Sequence, residues 1–212
     1  LKKIFENKIE LRIKKKITSK VKLKKYIKKH KIIENKQLKN EYFIFLEKLL
    51  ANVSINKKMV IDCSNGASSE IITRLFENNN MVKIVNNKPN GHNINLRCGA
   101  LHHKRLQNIL IKNNYDFAIA LDGDSDRCIL VNKRKGLIPS EKVLFMLLKQ
   151  INFKNGNKVC GSEIINKALE NNILKYKSKI YTTNVGDRNV IEKSLVTNSI
   201  IGFEPSGHFF YP

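Results

Sequence analysis

Residues 117–131 read Phe-Ala-Ile-Ala-Leu-Asp-Gly-Asp-Ser-Asp-Arg-Cys-Ile-Leu-Val, an acidic hexapeptide from Asp122 to Arg127 held between two short apolar runs. Four or five apolar residues suffice for a buried strand and are too few for a helix. Residues 117–121 and 128–131 therefore predict strands joined by a polar loop. Working outward, strand-like and helical stretches take turns. Residues 59–61 precede a helical 68–77, residues 82–85 precede a helical 101–112, and a helix is expected over 141–150. Such alternation predicts βαβ units, in which parallel strands carry helices on their faces. The same rhythm resumes with strands at 158–160, 179–182 and 199–203 and helices at 162–171 and 187–194.

The polar run Lys133-Arg134-Lys135-Gly136 forms a turn, and Leu137-Ile138-Pro139-Ser140 leads into a helix for which Ser140 is the expected N-cap. A domain boundary is placed there. The fold class is α/β: two consecutive α/β/α domains with mixed, largely parallel sheets, over 41–137 and 138–212. A Lys-rich helical or linker segment, 1–40, comes first. Within 41–51, Tyr42, Phe45, Leu46, Leu49 and Leu50 fall on one helical stripe, which predicts a face packed on the core.

The 212 residues carry 40 Lys+Arg against 18 Asp+Glu, a net charge of +22. Residues 1–40 account for +13 of it, with aromatic side chains only at Phe5 and Tyr26. A basic stretch this poor in stacking groups reads as a solvated face, against nucleic-acid binding. No run of about 18 apolar residues is present, which argues against a membrane span, and Leu1-Lys2-Lys3-Ile4-Phe5 leads into alternating Lys and Ile rather than a compact apolar h-region, which argues against a secretory signal. Cys63, Cys98, Cys128 and Cys160 lack the close spacing of zinc or dithiol sites and read as small buried hydrophobes in a reduced, cytoplasmic setting. Adjacent His102 and His103 diverge on a helix and are expected to face solvent or to cap.

Asp122, Asp124 and Asp126 carry the chemistry. Three carboxylates this close repel one another by about 1 kcal/mol per pair in water and several-fold more when partly buried. A cation among them removes that cost, and hard oxygen donors select Mg²⁺ or Ca²⁺. An EF-hand is excluded, because its sixth position would be Arg127 instead of Gly and its twelfth Lys133 instead of Glu. The remaining alternative is a polar turn whose aspartates cap backbone amides. In Val185-Gly186-Asp187-Arg188, Gly186 permits an unusual φ at a strand end, Asp187 can cap the next helix, and Arg188 can offer a planar fork to a phosphate. Glu204-Pro205-Ser206-Gly207-His208 sets an acceptor, a hydroxyl and an imidazole on a stiffened turn, a set suited to sugar hydroxyls.

Asp122-Gly123-Asp124-Ser125-Asp126-Arg127 resembles the metal-binding loop of the α-D-phosphohexomutase superfamily, and the surrounding sequence most resembles its phosphoglucosamine mutase branch. Four further segments are similar and collinear: residues 60–67, which resemble the opening of the family's second domain; Pro89 to Asn95 with Cys98-Gly99-Ala100; Asn184 to Arg188; and Gly202 to His208. The resemblance implies interconversion of glucosamine 6-phosphate and glucosamine 1-phosphate through a phosphoserine and a 1,6-bisphosphate, for amino-sugar and cell-wall precursor synthesis. It implies Mg²⁺ on Asp122, Asp124 and Asp126, and a phosphorylated amino sugar contacted by Arg127, Gly186, Asp187, Arg188, Glu204, Ser206 and His208. On this reading the chain holds the end of the first family domain, the whole second and most of the third. No catalytic residue is then expected in it, since the phosphoserine belongs to the first domain and a phosphate-binding loop to the fourth. Ser125 stands where Ala or Gly is usual and has no base beside it. Ser140-Glu141 and Pro205 also depart from the family pattern. Other readings are a non-catalytic remnant, a subunit that binds Mg²⁺ and phosphosugar and is completed in trans by the missing domains, and a basic nucleic-acid-binding module.

Overall fold

A computed structural model describes residues 3–18, 34–151 and 153–212. The chain divides into two compact units, residues 1–40 and 41–212. The first contains α1 (Lys3–Thr18), which leaves Ile4, Phe5, Ile9, Leu11 and Ile13 exposed; Tyr26 lies outside the described residues. Among the described residues no helix is long and apolar enough to cross a membrane.

The second unit holds two sheets. The first has the order β2-β1-β3-β4-β5, built from β1 (Met59–Asp62), β2 (Val82–Val85), β3 (Phe117–Leu121), β4 (Cys128–Asn132) and β5 (Gly136–Ile138). β1 runs parallel to β2 and β3, while β3–β4 and β4–β5 are antiparallel. β1 is buried along its whole length, which is why Met59, Val60 and Ile61 are an unbroken apolar run that does not alternate, before the buried Asp62. Its side chains still divide between the faces. Val60 joins Leu106 and Leu110 of α4 (His103–Asn113), and Met59 and Ile61 pack with Ile72 and Phe76 of α3 (Ser69–Phe76). The β4–β5 turn is closed by Asn132 Oδ1, which accepts the N–H groups of Arg134 at 2.9 Å and Lys135 at 3.1 Å.

The second sheet has the order β7-β6-β8-β9, from β6 (Lys158–Ser162), β7 (Lys179–Thr183), β8 (Ile201–Phe203) and β9 (Phe209–Phe210). β6 is parallel to β7 and β8, and β9 is antiparallel to β8. Leu144 and Leu148 of α5 (Ser140–Gln150), Leu169 and Ile173 of α6 (Lys167–Lys175), Val159, Ile201 and Phe203 form its core. On the sheet, α7 (Asp187–Thr197) packs so closely that a Cβ on Gly202 would lie 2.6 Å from Ser194 Oγ. Two mixed sheets flanked by helices are the expected α/β class.

Four local expectations are corrected. In α2 (Lys36–Leu50), whose residues from Glu41 on belong to the second unit, Phe43 is the buried side chain, whereas Tyr42, Phe45 and Leu49 are exposed. The Arg74 guanidinium sits 3.5 Å above the Phe43 ring, a cation–π contact that helical periodicity does not reveal. Ser140 does not cap α5: Pro139, extended, holds that position, and its carbonyl accepts from Lys142 N–H at 2.9 Å. Asp187 does not cap α7 either, since it is the first helical residue and Gly186 precedes it with φ 131°. The helix expected over 162–171 begins at Lys167, because Asn166 Oδ1 accepts from Ala168 N–H at 2.8 Å and sets the start, leaving Ser162 in β6.

Candidate metal and phosphosugar site

The acidic loop is the connection of the β3–β4 hairpin, closed by the Leu121–Cys128 pair. Ser125 takes a left-handed conformation, φ 68°, and its N–H donates to Asp122 O at 3.2 Å, so the chain reverses within four residues. This turn brings carboxylate oxygens of Asp122, Asp124 and Asp126 within 4.8 Å of one another. Asp122 is half-buried, and Asp124 and Asp126 are exposed. Asp122 Oδ1 accepts Arg127 N–H at 3.2 Å, and Arg127 Nε lies 3.3 Å from Asp122 Oδ2 and 3.9 Å from Asp126 Oδ1. The Nε contacts are electrostatic, without hydrogen-bond alignment.

The loop rests on the turn that follows β1. Ser64 and Asn65 are both left-handed, φ 55° and 49°, and Gly66 N–H donates back to Cys63 O at 2.8 Å. Two such residues in succession are costly, and local hydrogen bonds hold them. Buried Asp62 accepts Ser64 N–H through Oδ1 and Gly99 N–H through Oδ2, each at 2.9 Å, and Ser64 Oγ donates to Leu121 O at the foot of the acidic loop. Ala67 N–H donates to Gly123 O at 2.8 Å, with Gly66 packed backbone against backbone on Gly123. Asp62, Ser64, Gly66 and Gly99 thus support the loop, a role that sequence reading missed. The available signal was a polar Ser-Asn-Gly turn directly after a buried strand ending in Asp. Burial and the neighbouring Asp62 charge push the Cys63 thiol up to about 12, and burial raises Cys98, Cys128 and Cys160 as well; all four are free.

The β8–β9 hairpin approaches from the second sheet. Gly207 O accepts Cys128 N–H at 3.0 Å, and a Cβ on Gly207, φ 101°, would lie 2.9 Å from Ile129 Cδ1. Glu204 is buried; its Oε1 accepts Gly186 N–H at 2.9 Å and its Oε2 lies 3.1 Å from His208 Nδ1. The opposite ring nitrogen, Nε2, lies 3.0 Å from Asp126 Oδ2, and Ser206 Oγ is 2.9 Å from Nδ1. A cleft of about 330 Å³ opens here, lined in part by Ser125, Asp126, Asp187, Glu204 and His208. The structure therefore gathers Asp122, Asp124 and Asp126, and connects Asp126 through His208 and Glu204 to Gly186, with Asp187 on the cleft wall. Arg188 stands apart, exposed and 3.1 Å from Glu192, and Arg127 folds back on its own loop.

The arrangement is a mixed sheet that presents an aspartate hairpin to a second sheet carrying a Glu-Pro-Ser-Gly-His turn. The chain belongs to the phosphoglucomutase/phosphomannomutase family: residues 40–136 match the family model of its alpha/beta/alpha domain II and residues 139–212 that of its alpha/beta/alpha domain III. It is 37% identical over 178 residues to a phosphoglucosamine mutase of Caldicellulosiruptor bescii, a match that covers 81% of this chain and 39% of that protein. The chain thus spans about two fifths of the length of the curated relatives it matches. The fold matches a phosphoglucomutase/phosphomannomutase family protein from Burkholderia thailandensis with TM-score 0.61 and 23% identity, over 81% of this chain and 38% of that one. It also matches the Aspergillus fumigatus N-acetylphosphoglucosamine mutase in complex with GlcNAc-6P and magnesium, with TM-score 0.58 and 17% identity, over 81% of this chain and 40% of that one.

Proposed function

We propose that this chain supplies the metal-binding and sugar-recognition parts of a phosphoglucosamine mutase acting between glucosamine 6-phosphate and glucosamine 1-phosphate. Residues 41–137 form the metal-loop domain and 138–212 the sugar-recognition domain. The observation that carries this reading is the convergence of three carboxylates on one loop, joined by Asp126 to the Glu204–His208 turn. An all-oxygen donor set of this kind fits Mg²⁺, with Asp122, Asp124 and Asp126 as its holders. When bound there, the ion polarises a phosphoryl oxygen and offsets its charge. Likeness to a mutase captured with GlcNAc-6P and magnesium supports the same ligand classes.

The chain's own groups have defined tasks. Glu204 and Ser206 accept from and donate to sugar hydroxyls, and buried Glu204 keeps the Gly186–Arg188 segment in register through Gly186 N–H. Arg188, exposed at the first turn of α7, reaches a phosphate by exchanging its contact with Glu192 for the anion. Asp187 shapes the cleft wall.

Calorimetric titration with Mg²⁺ tests the assignment. Wild type binds, and Asp124→Asn, with an unchanged circular dichroism spectrum, does not. Equal affinity in the two proteins refutes it.

A further inference from the structure

We infer that His208 is a positioning residue for the cation site: it orients Asp126 from the second sheet, so that divalent-cation binding and the setting of the Gly186–Arg188 segment are one coupled event. The inference rests on the cation site proposed above. Asp126 is about half exposed, 46% by side chain, and an exposed carboxylate samples several rotamers unless a partner holds it. His208 Nε2, at 3.0 Å from Asp126 Oδ2, is the close partner; the other oxygen, Oδ1, makes only a 3.9 Å contact with Arg127 Nε and is the one left to turn to an ion. The imidazole is itself held, only 18% exposed, with Nδ1 3.1 Å from Oε2 of buried Glu204; the ring bonds both carboxylates at once when each of its nitrogens carries a proton. Glu204 Oε1 takes Gly186 N–H at 2.9 Å, and Cys128 N–H to Gly207 O at 3.0 Å ties the two hairpins by backbone alone. The chain of contacts from Asp126 to Gly186 is therefore continuous and runs through a buried carboxylate. Outer groups that orient metal ligands typically change affinity about 10–100-fold when removed. Partial exposure of Asp126 places the effect near the lower end, since solvent screens the contact.

The test is Mg²⁺ titration calorimetry on the full chain, wild type against His208→Ala and His208→Gln, with amide hydrogen exchange as the second readout. His208→Ala is expected to bind Mg²⁺ about tenfold more weakly, and His208→Gln, whose amide can still donate to Asp126, to recover affinity to within about threefold of wild type. Mg²⁺ is expected to slow exchange of Gly186 N–H in wild type and to leave it unchanged in His208→Ala. Equal affinity of wild type and His208→Ala overturns the positioning role and leaves the cation site standing. A loss in His208→Gln as large as in His208→Ala also overturns it, because a merely structural role would not be rescued by the donor. Absence of Mg²⁺ binding in wild type overturns the cation site and the inference together.

Discussion

Gly66→Ala measures how firmly the acidic loop is seated on the turn after β1. At Gly66 a methyl group would meet the backbone of Gly123, closest to the carbonyl oxygen and 2.9 Å from its Cα, a separation that real contacts essentially never show. Neither side can yield by rotating a side chain, because both are main chain. The loop must lift, stretching the Ala67 N–H to Gly123 O bond of 2.8 Å. Overpacking of this kind costs about 1–3 kcal/mol, and loss of the hydrogen bond adds about 1 kcal/mol. The expected total of about 2–4 kcal/mol lowers Tm by roughly 5–15 °C in a unit of this size. On the proposed cation site, Mg²⁺ affinity is expected to fall in parallel, since the three aspartates move with Gly123. Thermal unfolding followed by circular dichroism, with calorimetry at a temperature where both proteins are folded, reads both effects. A variant melting within about 2 °C of wild type, with unchanged Mg²⁺ affinity, would refute the reasoning that the two glycines are a required contact.

Two further outcomes follow from the same supports. Asp62→Asn keeps shape but turns an amide N–H₂ toward a backbone donor, either Ser64 or Gly99, and is expected to cost about 1–3 kcal/mol, read by urea unfolding; an unchanged midpoint would show that the buried carboxylate is dispensable. With its thiol raised from the ordinary value near 9 to about 12, Cys63 stays protonated in the folded chain while the unfolded chain ionises, so its contribution is intact below about pH 9 and is lost as pH rises toward 12. Native Cys63 should then resist a thiol reagent at pH 8 and react at the free-thiol rate in denaturant; equally fast labelling in both states would contradict the burial.

Local signals were legible where local physics decides. Apolar runs of four or five residues identified β1, β2 and β3 almost to the residue, because each strand's type depends on its own side chains. A helix read over 41–51 was legible too, although it starts at Lys36, but its buried face was not, since that depends on Arg74 arriving from α3 to cover Phe43. Caps failed for a related reason: Pro139 and Gly186 hold their positions by backbone conformation, and side-chain capping preference at Ser140 and Asp187 does not register it.

Sequence alone determined the alternation of strands and helices and the acidic loop, since periodicity, apolar run length and charge spacing are properties of neighbouring residues. Tertiary structure alone decided that Gly66 seats Gly123, that Asp62 clamps Ser64 and Gly99, and that His208 meets Asp126. Apart from the local Asp62–Ser64 bond, these contacts join segments far apart in the chain, and their energies come from close approach and shared burial, which exist only once the first sheet has formed and, for His208 and Asp126, once the second has packed on it.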